Sequence, residues 1–396
     1  MAERNLDFDT VIDRKNTGSV KYDTASREGM PEDALSLWVA DMDFKTSSYV
    51  QDALRKFAEH GIFGYNNAAE DYFEAVRSWH VRHHDWRVEK EWLVKTPGIV
   101  FALSMAVQAF TGEGDGVLIQ QPVYHPFARA VLQNGRRLVD NPLLQDENGK
   151  YYMDIQDFED KIVREQIKLF ILCSPHNPVG RVWSGQELER IGDICYRHKV
   201  IIISDEIHSD FVFRGKHCVL AGLKKEYEEI TVTCTAPSKT FNIAGLQVSN
   251  IFIPNERLRT LFEKRISACG CSQPNSAGLT ACLAAYRDGE EWYRGMLSYI
   301  GENIRFAKAF LAERLPEVKM WEPEGTYLIW LDLRSLGLSH DKMEELIVRR
   351  ARLWLDDGAM FGAAGEGFQR VNTACPRSVL KQALERLERA IREIVG

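Results

Sequence analysis

The sequence predicts an α/β fold: a large domain on a mostly parallel sheet, joined to a smaller α+β domain. Two observations carry that prediction. From residue 92 to residue 253 short apolar runs alternate with helical patterns, the rhythm of strand–helix–strand units. After residue 255 the helical patterns lengthen, and one apolar strand pattern at 327–333 interrupts them. The chain has 396 residues, 45% of them hydrophobic and 27% charged. That is roughly two or three domains' worth of chain, enough for a large core without disulfides.

Taken in order, the first fifty residues are loop-rich, with turn signals at Asn16-Thr17-Gly18 and Gly29-Met30-Pro31. A helix is predicted over 47–60, a glycine-rich break at 61–64 and a second helix over 69–84. A strand at 92–95 runs through Pro97-Gly98 into a helix that ends near Phe110. The next strand is 116–120, followed by a turn and helix over 122–133. Residues 169–173 read as a buried strand. Ser184 is a helix N-cap, and Glu187 three residues on completes a capping box. Residues 200–204 (VIIIS) form the clearest strand, apolar and β-branched. Strands at 230–234 and 248–253 follow. Helices are then predicted at 255–268, 275–287 and 290–314, a strand at 327–333, a helix at 340–351 and an amphipathic helix at 378–394.

Composition excludes some classes of function. Fifty Lys and Arg against 57 Asp and Glu leave a net charge of −7. Nucleic-acid and anionic-membrane binders need a basic footprint, so neither partner is expected. The first ten residues are charged and lack an apolar h-region, so a cytoplasmic protein without a signal peptide is expected. The longest uncharged stretch, 96–111, is too short to span a bilayer and reads as a buried helix. Eight scattered cysteines without a CxxC pair fit reduced thiols, and the Cys269-Gly-Cys271 stretch reads as a loop with buried thiols. His80, His83 and His84 share a helical face, but nothing nearby completes a ligand set, and no metal is expected.

In a mainly parallel sheet, ligands gather at the carboxyl ends of the strands. Gly98, Ile99 and Val100 follow the first strand and open a helix, where free N–H groups favour an anion, phosphate above all; alone, they also fit a plain strand-to-helix turn. No GxGxxG or GxxxxGK[ST] nucleotide fingerprint is present. Tyr124 in QPVYHPF can stack on a flat ligand ring or simply pack in the core. Asn177 in SPHNPVG is held between two prolines and can aim its amide at a ligand oxygen, or form an ordinary Asn-Pro turn. Asp205 follows the most buried strand, where an acid is costly without a partner, although a helix cap or a salt bridge would also explain it; His208 lies three residues on and can face the same site or simply pack. Lys239 in APSKTFNIAG sits on a tight loop where desolvation would free its nucleophilic lone pair, although most lysines are surface residues.

Singly these signals are weak. Together, in the order Gly98, Tyr124, Asn177, Asp205, Lys239 and Arg370 (in FQRVNTACPR), they resemble the fold-type I pyridoxal-phosphate enzymes, the aspartate-aminotransferase superfamily, over nearly the whole chain. RKNTGSVKYD (14–23), LWVADMDF (37–44), GIFGYN (61–66), SDEIHSDF (204–211) and SKTFNIAGLQ (238–247) look like the MalY/PatB-like cystathionine β-lyases. The resemblance implies a mostly parallel seven-stranded sheet in a large domain, 49–288, that binds pyridoxal 5′-phosphate. A small domain, 289–396, would be joined by the segment 1–48. It implies that Lys239 bonds covalently to the cofactor and then serves as general base on the substrate Cα proton. Asp205 would pair with the ring nitrogen, Asn177 would bond the phenolic oxygen, and Tyr124 and Ile207 would cover the two ring faces. Gly98, Ile99, Val100 and Ser238 would hold the phosphate, with Tyr65 reaching it across a homodimer interface. Arg370 would clamp the substrate carboxylate, with Asn177 and Tyr124 beside it.

Two departures from the aminotransferase pattern stand out. His208 takes the place of a tyrosine that bonds the phenolic oxygen, and Gln247 that of a phosphate-binding arginine. The implied reaction is α,β-elimination on L-cystathionine or a related cysteine S-conjugate in methionine biosynthesis, yielding pyruvate, ammonia and a thiol. The same residues serve transamination, so an aminotransferase is the rival reading. A regulatory protein contact on the same scaffold is a third.

Overall fold

The computed structural model describes residues 6–271 and 273–395. Residues 1–5 of the expected N-terminal segment, and of its charged start, lie outside the described residues.

The central sheet has seven strands. Their spatial order is Arg137–Asp140, Gly116–Ile119, Ile167–Cys173, Ile201–Asp205, Thr231–Thr235, Ser249–Phe252 and Leu93–Thr96. The first five are mutually parallel, and Ser249–Phe252 runs antiparallel to both its neighbours. The apolar runs that mark these strands are buried on both sides, as a parallel sheet requires. Ile119, Ile171, Ile203 and Val232 pack with Leu103 and Val107 of helix Ile99–Phe110. Leu118, Phe170 and Ile202 belong to the opposite layer, with Leu188 and Ile191 of helix Gly185–His198.

Local signals set the helix ends. The Ser47 hydroxyl accepts the Tyr49 N–H to start Ser48–His60, which stops at Gly61 with φ +73°. Ser184 and Glu187 form the expected capping box. Asn275 caps Ser276–Asp288 through the N–H groups of Ala277 and Gly278. A second sheet, antiparallel throughout, runs Lys319–Met320, Leu328–Asp332, Phe368–Asn372, Asp356–Asp357. Helices Glu290–Arg314 and Arg377–Val395 accompany it. The N-terminal strand Leu35–Ser36 pairs in parallel with Leu353–Trp354, tying the start of the chain to this second sheet's region.

Several local expectations are corrected. Residues 340–351 are not one α-helix: His340–Glu344 is α-helical and Glu345–Arg350 widens into a π-turn, which inserts a residue that the 3.6-residue pattern does not reveal. Strand Arg137–Asp140 and helix Ile155–Arg164 carry no expectation from the sequence, the first because half its side chains face outward. Lys239 lies in a one-turn helix, Pro237–Thr240, that proline opens, not in a loop. Cys269 is exposed and Cys271 half-buried, since helix Glu256–Ala268 ends at the surface just before them.

Candidate active site

Parallel register places Cys173, Asp205 and Cys234 in one row across three neighbouring strands, at the carboxyl edge of the sheet. A cavity of about 440 Å³ opens over this edge. Gly98, Ile99, Val100, Tyr124, Asn177, Asp205, Ile207, His208, Ser238 and Lys239 all line it. They arrive from five separate strand ends, a convergence that follows from the parallel topology.

The helix start at Ile99 lines this cavity with N–H groups that have no partner in their helix. Ala102 makes the first helical bond back to Gly98 at 3.1 Å, so the N–H groups of Ile99, Val100 and Phe101 have no partner within their helix. A Cβ added at Gly98 would meet no protein atom within 4 Å. Ser238 and Gln247 complete this wall.

A buried acid also lines the cavity. Asp205 receives the Ile207 N–H at 3.2 Å and forms no salt bridge among the described residues. Burial raises its carboxyl from the usual 3.8 to about 7, against the Ile207 hydrogen bond and the Lys239 charge. Beside it His208 is buried, and its Nδ1 has no hydrogen-bond partner. Burial, with the Lys239 and Arg370 charges, holds this imidazole well below its ordinary value, so it is neutral.

Lys239 lines the same cavity. Its Nζ donates to the Ala40 carbonyl at 2.5 Å. Burial pulls its pKa from 10.5 down to about 8; Asp41 and Asp205 oppose the shift and Arg370 adds to it. The next residue, Thr240, is anchored from below by Asp210, whose carboxylate also takes the Trp79 indole N–H at 3.0 Å and the His84 ring at 2.9 Å. His84 is thereby committed, and His83 pairs with Glu290 at 2.8 Å. His80 packs edge-on to Phe252 and Trp86.

Arg370 is buried beside the cavity, against Asn177. Its Nη1 donates to Asn177 Oδ1 at 3.0 Å, and its Nη2 to the Trp38 carbonyl at 2.9 Å and to Asp356. Its Nε is buried without a partner. Because Asn177 Oδ1 faces Arg370, the amide NH2 is left for a ligand. The Tyr124 N–H donates to the Asn177 carbonyl at 3.0 Å, fixing the two loops to each other. Tyr65 is elsewhere: its side chain is 97% exposed, on a segment with exposed Ile62 and Phe63. The residues that sequence reasoning passed over are Trp38, Ala40, Tyr327 and Asp356. Trp38 and Ala40 serve through backbone carbonyls, which no side-chain pattern marks; Asp356 is found only through its pairing with Arg370.

The sheet topology and this set of residues define a member of the class I and II aminotransferase family. Residues 32–387 match that family's signature, "Aminotransferase class I and II", and the chain belongs to it. Over 98% of its length the chain is 43% identical to cystathionine beta-lyase PatB of Bacillus subtilis (strain 168), covering all of that protein. It is 31% identical to protein MalY of Escherichia coli (strain K12), over 98% of this chain and all of that one. The crystal structure of cystalysin from Treponema denticola, which contains a pyridoxal 5′-phosphate cofactor, superposes with a TM-score of 0.95 at 38% identity. That match covers 98% of this chain and 100% of cystalysin.

Proposed function

We propose that this chain is a pyridoxal-phosphate-dependent carbon–sulfur lyase. It takes L-cystathionine or a related cysteine S-conjugate to pyruvate, ammonia and a thiol by α,β-elimination. The observation that carries the reading is that one cavity is lined by Lys239, a half-buried amine, by a helix start whose N–H groups have no partner in their helix, and by the buried carboxylate of Asp205. That set of groups fits a flat cofactor that carries a phosphate and a basic ring nitrogen. Bound there, the cofactor supplies an electron sink that lets an amino-acid Cα–H bond ionise and a β-thiolate depart.

The chain's own residues do the rest. Gly98, Ile99, Val100 and Ser238 hold the phosphate. Tyr124 and Ile207 cover the ring faces, and the Asn177 NH2 donates to the phenolic oxygen. Neutral His208 has a ring nitrogen free for the same oxygen. Asp205 keeps the ring nitrogen cationic. Arg370 takes the substrate α-carboxylate, with Asn177 and Tyr124 beside it, and thereby fixes which Cα bond faces Lys239. Lys239 removes the Cα proton.

Elimination is favoured over transamination because the relatives named as cystathionine β-lyases are 43% and 30% identical, against 28% for one named aspartate aminotransferase. The test is incubation of the holoenzyme with L-cystathionine alone: pyruvate and free thiol in large excess over enzyme are expected. Product that forms only when a keto acid is added would establish the aminotransferase instead.

Gln247 carries a further expectation. Its neutral side chain lines the same cavity as the helix start at Ile99, so Gln247→Arg should add one charge-assisted bond to the phosphate and slow cofactor loss on dialysis roughly tenfold. Equal loss rates would remove Gln247 from the phosphate site. The reading extends to a homodimer in which Tyr65, with Ile62 and Phe63, meets the partner subunit, and to a cytoplasmic enzyme of methionine biosynthesis. Residues 1–48 join the small domain, 289–396, while 49–288 hold the cofactor. The pairing of Leu35–Ser36 with Leu353–Trp354 supports that division.

A further inference from the structure

The motifs at 14–23 and 37–44 are not used in the mechanism above, yet they contain a deeply engaged set of polar groups. Lys21 is 0% exposed. Its Nζ lies 2.8 Å from Asp43 Oδ2 and 3.5 Å from Asp41 Oδ1. Arg14 forks onto both Asp41 oxygens, at 3.0 and 2.7 Å, and reaches Asp43 Oδ1 at 2.7 Å. Two cations and two carboxylates thus cross-brace a stretch of three residues.

The backbone of that stretch faces the active site. Five consecutive carbonyls each accept a side chain from elsewhere in the chain. Trp38 O takes Arg370 Nη2 at 2.9 Å, and Val39 O takes Asn372 Nδ2 at 2.7 Å. Ala40 O takes Lys239 Nζ at 2.5 Å and the Tyr327 hydroxyl at 2.8 Å. Asp41 O takes Asn372 Nδ2 at 2.6 Å, and Met42 O takes Asn242 Nδ2 at 2.9 Å. The segment is a strap, and two of its acceptors hold Arg370 and Lys239.

We propose that this strap is the positioning element for Lys239 and that Asp41 is its acting residue. Arg14 and Lys21 hold it so that the Ala40 carbonyl and the Asp41 carboxylate stabilise the protonated amine after it has taken the substrate Cα proton. The inference rests on the lyase reading above. It requires that the field at Lys239 be set in part by Asp41. The charged and titratable groups facing the amine are Asp41 from the strap, Asp205 and His208 from the end of Ile201–Asp205, Arg370 from Phe368–Asn372, and Tyr327 beside Leu328–Asp332. His208 is neutral, and the Tyr327 hydroxyl donates to the same carbonyl as Lys239. Asp205 is engaged by the ring nitrogen when cofactor is bound. Arg370 is already paired with Asp356, which leaves Asp41, next in the chain to the carbonyl that holds Nζ, as the carboxylate on the strap side of the amine. Burial works against the Asp41 charge, but Arg14, Lys21 and Lys239 together hold its carboxyl below the ordinary value.

The test is Asp41→Asn in the holoenzyme, with two readouts against pH: the midpoint of the cofactor's visible absorption band, and kcat/KM for pyruvate release. Loss of the carboxylate leaves Arg14 and Lys21 less compensated, so both effects disfavour a cation at Lys239. Both midpoints should move down by about one pH unit. The kcat value should fall while KM stays within about threefold, and Asp41→Glu should restore the wild-type profile. The double variant Arg14→Gln/Asp41→Asn leaves no uncompensated Arg14 cation, so its midpoints should move down by less than those of Asp41→Asn. Midpoints within about 0.2 unit of wild type in a folded variant, with only the melting temperature changed, would reduce the strap to a structural brace. A wild-type protein without the visible band would instead sink the lyase reading itself.

Discussion

Lys239→Ala is expected to lower kcat by at least about 10³-fold, the upper part of the range for a positioned general base. The variant should still take up cofactor at the Ile99 helix start, but without a covalent bond, so borohydride should no longer fix the cofactor to the chain. The physical basis is the environment of Nζ. Burial brings the amine from 10.5 to about 8, which increases its neutral fraction at neutral pH by roughly two orders of magnitude. A small primary amine added to the buffer should restore part of the lost rate, more for stronger bases, because it can occupy the space of the missing side chain. Peptide mapping of borohydride-treated wild type should find the label on Lys239. A label on another lysine, or a variant within tenfold of wild-type activity, would overturn the assignment.

Asp205→Asn is the second large effect, and it has opposite consequences for activity and stability. Activity should fall about 10²- to 10³-fold, because a neutral amide cannot hold the ring nitrogen in its cationic form at a site where charge develops. The cofactor-free chain, by contrast, should melt at a higher temperature than wild type. Asp205 has a folded-state pKa raised from 3.8 to about 7, mainly by burial. A raised carboxyl binds protons more tightly in the folded chain than in the unfolded one. Its penalty is therefore absent below about pH 4, grows as pH rises, and is fully present above about pH 7. The stability gain of Asp205→Asn should follow that curve when melting temperatures are compared between pH 4 and pH 8. Saturation with cofactor should cancel it, since the ring nitrogen then compensates the carboxylate. A gain independent of pH would show that desolvation of Asp205 is not its source.

Much of this site was legible because a parallel sheet brings the ends of distant strands together. Val-Ile-Ile-Ile-Ser at 200–204 announces a buried strand, and the acid immediately after it gains meaning only in combination with the residues at the other strand ends. Lys239 and Asn177 follow by the same logic. Arg370 was a different case. Its strand, Phe368–Asn372, contains Gln369, Arg370 and Asn372, so no apolar run marks it, although every residue in it is buried. Burial there is satisfied by polar partners, Asp356 and Asn177 for the guanidinium and strap carbonyls for Asn372, and these lie far away in sequence. The backbone acceptors of Trp38 and Ala40 were illegible for a related reason: a carbonyl belongs to every residue type. The motif around them was visible, but its use was not.

The strap also has a consequence for how the chain folds as it is made. Some of its partners are more than three hundred positions away: Arg370 and Asn372 grip Trp38, Val39 and Asp41. Such contacts close only after almost the whole polypeptide has left the ribosome, and non-local closure of this kind is slow. A nascent chain can therefore build its central sheet early, before the C-terminal residues that grip this strap have been made.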